Sequence, residues 1–179
     1  MPPRRLLLFL TASLFLALAL ACGKGQDSGS EPIPEGAWRD GVCGLTWQGS
    51  VDFMGLQDEA LAHCAALDLG DRPWRLPTIG ELRCLVEGCD ATVIDGDCEV
   101  TDDCADLGCM TTACNGCKLD AGPTGGCYWP EELGGACGDP LWTATQVGTD
   151  RAWVVEFRDA SFSLDELTER HGVLCLLDG

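Results

Sequence analysis

The residues of this chain best suited to chemistry are its thirteen cysteines, which fall into two groups. Cys22 stands alone near the N-terminus. The other twelve lie between Cys43 and Cys175, and nine of these fall within residues 84–138. A thiol can be acylated, oxidised to a disulfide, used in redox catalysis or bound to zinc. The residues around each cysteine must therefore decide among these roles.

The segment before Cys22 has the features of an export signal. Two arginines precede an apolar run over residues 6–20, and the small residue Ala21 comes directly before Cys22. This run of about 15 residues is shorter than the roughly 20 needed to cross a bilayer, which argues against an uncleaved transmembrane anchor. A cleavable signal that ends at a cysteine is typical of a bacterial lipoprotein. We therefore predict that residues 1–21 are removed and that Cys22 is lipidated.

The Cys-x-x-Cys motif at Cys114 and Cys117 has three interpretations. It could be a redox pair, or it could join Cys104 and Cys109 in a four-thiolate zinc site. No thioredoxin-like context surrounds the motif, and the twelve cysteines after Cys22 are an even number in a chain expected to be exported. These features favour structural disulfides, with no metal and no cofactor.

The spacing of the cysteines leaves their connectivity open. The central ones are dense enough to pair locally, for example Cys127 with Cys137. Cys175 is the only cysteine after the dense region, so its partner must be distant in sequence. Cys43 and Cys64 are the main candidates.

The charge of the chain restricts its partners. After removal of residues 1–21, nine basic and 29 acidic residues remain, a formal charge of −20. Such a surface repels nucleic acid and other polyanions, including heparin-like sugars. Cationic partners, neutral glycans and divalent ions remain compatible with it, although the excess charge also serves plain solubility.

Neither the carboxylates nor the histidines form a recognisable catalytic or metal motif. Calcium ligation by the acidic cluster is an alternative to a solvated loop, but the cluster lacks EF-hand spacing. His63 and His171, the latter expected in a turn, accompany no Gly-x-Ser-x-Gly signature, so no catalytic residue is predicted. The acidic cluster mentioned above as an alternative calcium site consists of Asp95, Asp97, Glu99, Asp102 and Asp103.

The elements that must position these residues are short. Residues 22–37 are rich in Gly, Ser and Pro and predict a flexible tether, followed by a folded domain over 38–179. A helical apolar stripe over 55–67 and a capping box from Thr78 to Glu81 predict two helices. Alternating segments predict strands over 43–48, 141–147, 152–157, 161–164 and 172–177. Two early helices and a late antiparallel sheet make an α+β domain.

Residues 84–138 contain few large aliphatic side chains. We therefore predict a disulfide-linked insertion without its own core. Trp47, Trp142 and Trp153 alternate with strand neighbours and are predicted to be core residues. Trp129 lies inside the insertion and is the tryptophan predicted to be exposed, so a ligand-binding surface is predicted around Tyr128 and Trp129.

Several motifs resemble one known family. In order, they are Gly44-Leu-Thr-Trp-Gln48, Trp74-Arg-Leu-Pro-Thr78 with Glu81-Leu82, Leu141-Trp-Thr-Ala-Thr145, Ala152-Trp-Val-Val-Glu-Phe157 and Val173-Leu-Cys175. Together they resemble the Lcl C-terminal domain family of bacterial collagen-like adhesins and other exported proteins. The resemblance implies a C-type-lectin-like fold in which Cys64, on a helix, is bonded to Cys175, on the last strand. It transfers no catalytic residue.

Residues 75–81 also resemble the formylglycine-generating oxidases, whose chemistry needs a pair of nearby C-terminal cysteines to hold copper. Here Cys175 stands alone in the last predicted strand, which argues against that activity. The sequence thus predicts a lipid-anchored binding or adhesion module, not an enzyme, at the outer membrane, the cell surface or in the periplasm. Its expected ligand is a neutral glycan or a protein. The alternatives are an oxidoreductase or metal-dependent enzyme on this scaffold, and a structural envelope protein.

Overall fold

The computed structural model of the protein describes residues 32–134 and 137–179. The predicted signal segment, Cys22 and the tether up to residue 31 lie outside these residues. The described part contains two α-helices and nine β-strands, which confirms the predicted α+β class. None of the helices described is long and apolar enough to span a membrane.

The helices are α1 (Gln57–Ala65) and α2 (Ile79–Arg83), and short 3₁₀ turns cover Leu107–Cys109, Thr112–Asn115 and Glu131–Leu133. The strands are β1 (Ala37–Arg39), β2 (Thr46–Gln48), β3 (Phe53–Gly55), β4 (Trp74–Arg75), β5 (Leu141–Val147), β6 (Arg151–Glu156), β7 (Ser161–Glu166), β8 (His171–Val173) and β9 (Leu176–Leu177).

The described strands form two sheets, where the sequence predicts a single antiparallel one. The first has the order β1-β2-β9-β4 and the second the order β3-β8-β5-β6-β7. Strand β8 pairs with β5 in parallel, through Leu141 and Gly172. The single strand predicted over 172–177 is in fact β8 and β9, one in each sheet. The C-terminal segment therefore connects both sheets, and its strands lie beside strands from the start of the domain.

The predicted capping box of α2 is confirmed. The Thr78 hydroxyl accepts a hydrogen bond from the backbone N–H of Glu81 at 3.2 Å, and the Glu81 carboxylate accepts one from the backbone N–H of Thr78 at 2.8 Å. These reciprocal bonds satisfy amides that the first helical turn leaves without partners. Helix α1 buries Ala60 and Cys64 completely, while Leu61 is 39% exposed.

The core contains the three tryptophans predicted for it, each fully buried. A buried indole N–H needs an acceptor, and all three find one. Trp47 donates to the Asp40 carboxylate at 2.9 Å, Trp142 to the carbonyl of Gly55 at 2.8 Å, and Trp153 to the carbonyl of Ala105 at 2.7 Å. The last acceptor belongs to the insertion, so core and insertion are joined at this point.

Six disulfides pair all twelve cysteines of the described residues. They include Cys64–Cys175, the bond that the family resemblance implies, and Cys127–Cys137, the example given of local pairing. The two cysteines of the Cys-x-x-Cys motif do not pair with each other. The remaining bonds are Cys43–Cys84, Cys89–Cys117, Cys98–Cys114 and Cys104–Cys109.

Arg83, at the end of α2, has a role that the sequence pattern does not predict. Its side chain is only 2% exposed. All five of its N–H groups donate to backbone carbonyls of the insertion, at distances between 2.7 and 3.1 Å. Burial lowers the pKa of the guanidinium, and the negative charge of Asp95 partly offsets this. The carbonyls belong to Thr92, Val93, Gly96, Cys98 and Val100.

The insertion packs against the rest of the domain. Its buried residues, including Val100 and Tyr128, belong to the larger core cluster together with Trp153 and Phe162. Main-chain hydrogen bonds join it to the turn between β6 and β7, for example from the N–H of Cys117 to the carbonyl of Asp159 at 2.6 Å. The insertion therefore shares the domain's core, which fits the prediction that it has none of its own.

Arg75 joins helix α2 to the C-terminal residues of the domain. Its guanidinium donates two hydrogen bonds to Glu81, at 2.7 and 2.5 Å, and one to Asp178 at 3.1 Å. Burial raises the pKa of the Glu81 carboxyl, but the hydrogen bonds from Arg75 and Thr78 outweigh this and hold the pKa below its ordinary value. The hydrogen bonds with Glu81 also raise the pKa of Arg75.

We predict that the Cys64–Cys175 bond contributes more stability than the Cys104–Cys109 bond. The first spans 111 residues of sequence and the second spans 5. In the chain-entropy model the first contributes about 4–5 kcal/mol and the second about 2 kcal/mol. Urea unfolding of Cys64→Ala/Cys175→Ala and of the control pair Cys104→Ala/Cys109→Ala would measure both. Equal losses, or a larger loss in the control, would contradict the prediction.

We also predict that Glu81 makes the stability of the domain depend on pH. Its lowered pKa means that the ionised carboxylate stabilises the fold above the ordinary glutamate pKa, and that this stabilisation is lost as the pH falls through the folded-state pKa. Glu81→Gln should cost roughly 1–2 kcal/mol at pH 7 and much less at pH 3. Denaturation at both pH values, with exposed Glu169→Gln as control, gives the comparison. A cost that is independent of pH would rule the effect out.

Candidate binding cavity

An open cavity of about 330 Å³ lies beside β3, β5 and β8. Its lining comes from three parts of the chain. Residues 51–54 lead into β3, Trp129, Gly138 and Asp139 come from the end of the insertion, and Leu141 and Gly172 belong to β5 and β8. This volume is within the range of about 300–1,000 Å³ typical of small-ligand sites.

Gly172 lets the strands that line the cavity approach closely. It pairs with Met54 of β3 on one side and with Leu141 of β5 on the other. A Cβ atom at this position would lie 2.7 Å from the Leu141 side chain and 3.2 Å from the Val51 side chain. Any larger residue would therefore push these two side chains apart. A glycine inside a strand often marks such a close approach.

Apolar side chains at the cavity are open to solvent. Val51 is 37% exposed and Met54 is 42% exposed, while Phe53 is half-buried. One face of the Phe53 ring is covered by the imidazole of His63, which stacks on it at 4.2 Å. Exposed apolar residues that adjoin a cavity are a feature of binding sites.

Two carboxylates, Asp52 and Asp139, also line the cavity. Asp52 accepts a hydrogen bond from the Gln48 amide at 2.9 Å, and the imidazole of His63 lies 3.9 Å away. Asp139 is exposed and makes no hydrogen bond or ion pair with another described residue. No lysine or arginine is among the lining residues.

Asp139 makes a small contribution to the electrostatics of Glu156, the last residue of β6. Burial raises the pKa of the Glu156 carboxyl, the negative charges of Asp159 and Asp139 raise it further, and Arg158 opposes them. These carboxylates therefore repel one another. A cation bound at Asp139 would relieve part of that repulsion.

The expectation that Trp129 is exposed is wrong, and Tyr128 beside it is buried as well. Tyr128 is 4% exposed and Trp129 is 3% exposed. The Tyr128 hydroxyl donates to the carbonyl of Lys118 and the Trp129 indole to the carbonyl of Gly134, both at 2.8 Å. Both side chains pack into the larger core because the insertion lies against the sheet. Trp129 still forms part of the cavity wall, but its ring is not an open platform.

The histidines have structural surroundings. His171 begins β8, not a turn as expected, and it is buried. Its imidazole lies 2.9 Å from the Asp165 carboxylate and meets the edge of the Trp142 ring at 4.5 Å between centroids. Neither His171 nor His63 contacts a serine among the interactions described. Among residues 32–134 and 137–179, no Ser/His/Asp arrangement is therefore formed around them.

The carboxylates of the acidic cluster in the insertion are not gathered at a single site. Asp102 accepts hydrogen bonds from the Thr78 hydroxyl at 2.8 Å and the Gly80 N–H at 3.0 Å, so it helps to cap α2. Within residues 32–134 and 137–179, no three or more His, Cys, Asp or Glu side chains are grouped so that they could hold a metal ion.

The sequence pattern assigns no role to most residues of the cavity. Val51, Asp52, Phe53 and Met54 precede the first predicted helix, and two apolar residues there are exposed. Asp139 belongs to the Gly-Asp-Pro turn before β5. The strongest signal in the sequence was the mixed apolar and acidic segment 51–54, which lies between two predicted elements and fits neither.

Comparison with known proteins supplies the family. Residues 36–176 match the model of the Lcl C-terminal domain. No curated protein and no solved structure shows significant similarity to the chain. The match covers most of the 179 residues and includes both sheets and the insertion. The chain therefore belongs to the Lcl C-terminal domain family.

Proposed function

We propose that the protein is an exported, lipid-anchored binding module that acts in adhesion at the cell envelope, and that its cavity contacts the ligand. The observation that carries this proposal is the open cavity, with Val51 and Met54 exposed beside it, on a scaffold fixed by disulfides. The family suggests the same general role, an exported module related to adhesion.

The disulfides support export. All twelve cysteines of the described residues are paired, and four of the bonds lie wholly within residues 89–137. Reducing compartments keep such thiols free, whereas oxidising compartments outside the cytoplasm allow disulfides to form and persist.

The contacts of the described cysteine and polar side chains favour a binding function over a catalytic one. An oxidase of the formylglycine-generating type needs free cysteines near the C-terminus, but Cys175 is bonded to Cys64. The Arg75–Glu81 pair joins α2 to the end of the chain, and Asp102 caps α2. These polar groups therefore already serve the fold.

The lipid anchor at Cys22 is the more specific part of the proposed function. Cleavage before Cys22 would leave a cysteine able to carry three acyl chains, and the polar residues after it would form a tether to the domain. Several acyl chains give stable membrane residence, whereas one gives only marginal binding. The domain would then stand at the outer membrane, either on the cell surface or in the periplasm.

Replacing Cys22 should release the protein from membranes. We expect the full chain to partition into the detergent phase, and Cys22→Ser to remain unprocessed or to appear in the aqueous phase. Intact mass should show acyl chains and no free thiol in the wild type. Unchanged partitioning of Cys22→Ser would contradict the anchor, and several free thiols would favour redox or metal chemistry instead.

The adhesive role can be tested on cells that display the full chain. We expect these cells to be retained on spots of combined glycan and peptide arrays. Met54→Glu, which places a charge beside the cavity, should reduce retention about tenfold, because central apolar contacts dominate most interfaces. Leu119→Glu is the matched control, since Leu119 is 52% exposed and does not line the cavity.

Retention of wild-type cells no better than that of cells lacking the protein would refute the adhesive role. That result would leave the structural envelope protein and the enzyme on this scaffold as the remaining interpretations. Equal retention of Met54→Glu and Leu119→Glu would place the binding surface elsewhere.

A further inference from the structure

We infer that the cavity binds a basic peptide segment, and that it takes the side chain of a lysine or arginine with an apolar neighbour. This inference rests on the proposed binding function and narrows it to one class of ligand. It follows from three features of the cavity, which are its charge, its covered aromatic rings and its apolar walls.

The charged side chains that line the cavity are both acidic. Asp52 and Asp139 line it, and no lysine or arginine does. Arg170 donates to the carbonyl of Met54 at 2.7 Å, but its guanidinium is also bonded to Glu59 at 3.1 Å. Asp139 has no ion-pair partner among the described residues. A ligand that brings a positive charge would supply one.

The field of the whole domain acts in the same direction. Residues 32–179 contain eight basic and 27 acidic side chains, a formal charge of −19. Such a field attracts cationic ligands and accelerates their association, and it repels anionic ones. Sulfated and other anionic sugars are therefore poor candidates for this cavity.

Neutral sugars are disfavoured by the aromatic rings. Sugars stack on open ring faces, but Trp129 is only 3% exposed and one face of Phe53 is covered by His63. Tyr128 is buried and does not line the cavity. The cavity therefore offers carboxylates for hydrogen bonding but at most one face of Phe53 as a platform for a sugar ring.

The apolar walls suit an amphipathic side chain. Lysine and arginine carry long methylene stems that pack against apolar surface while the charged end reaches a polar partner. Val51 and Met54, the exposed apolar side chains of the lining, would contact the stem and an apolar neighbour, and Asp139 would accept hydrogen bonds from the charged end. A volume of about 330 Å³ accommodates both side chains.

Fluorescence anisotropy of the full chain in non-ionic detergent tests the inference with labelled peptides. The probe is acetyl-Leu-Lys-Leu-amide, and the comparison peptides carry norleucine or glutamate in place of lysine. We expect binding of the lysine peptide only, with an affinity that falls as salt is raised. Asp139→Asn should weaken it about tenfold, because the charge-assisted hydrogen bond is lost. Asp103→Asn, an exposed change away from the cavity, should not.

Equal binding of the norleucine and lysine peptides would overturn the inference, as would an Asp139→Asn variant that binds normally. Displacement of the lysine peptide by a neutral oligosaccharide or by heparin would also overturn it. The adhesive function and the ligand class assigned here can be contradicted independently of each other. If no peptide binds but cells still adhere in a Met54-dependent manner, the adhesive role stands and only the ligand class assigned here is wrong.

Discussion

The insertion of this protein depends on one buried cation. A guanidinium removed from water is costly unless its donors are satisfied, and Arg83 satisfies all five of them with backbone carbonyls. The arrangement also serves the loop, because residues 92–100 form no helix or strand whose N–H groups would donate to those carbonyls. The guanidinium carbon of Arg83 lies 5.8 Å from the ring centroid of Phe162 in β7. The Arg83 side chain therefore joins α2, the insertion and the second sheet.

The cavity also depends on Arg83, because the insertion that Arg83 holds continues into residues that line the cavity. The insertion leaves α2 at Cys84, which is bonded to Cys43, and returns through Cys127–Cys137 to the strand that begins at Leu141. Trp129 lies within the loop closed by that second bond, and Asp139 follows it directly. A displaced insertion would therefore move one wall of the cavity. Residues 51–54, another part of the lining, lead into β3, which pairs with β8 shortly before Cys175 in the sequence.

Features governed by local rules could be predicted from the sequence, whereas features governed by distant contacts could not. The capping box needs only Thr78 and Glu81 at the right spacing, and the core tryptophans follow from strand alternation. The Cys64–Cys175 pair was implied by a family resemblance. Tyr128 and Trp129 were misjudged because their burial depends on where the insertion packs. Arg83 gives no signal at all, because its partners are backbone carbonyls, which every sequence provides.

The claim that Arg83 organises the insertion can be measured directly by nitrogen-15 NMR of the arginine side chains. The structure predicts that the Nη protons of Arg83 give separate resonances that exchange slowly with water, because rotation about the guanidinium bonds would break hydrogen bonds to Cys98, Val100, Val93 and Gly96. Scalar couplings from these nitrogens to the carbonyl carbons would identify the acceptors. A single averaged and rapidly exchanging Nη resonance for Arg83, as expected of an exposed arginine, would contradict the account.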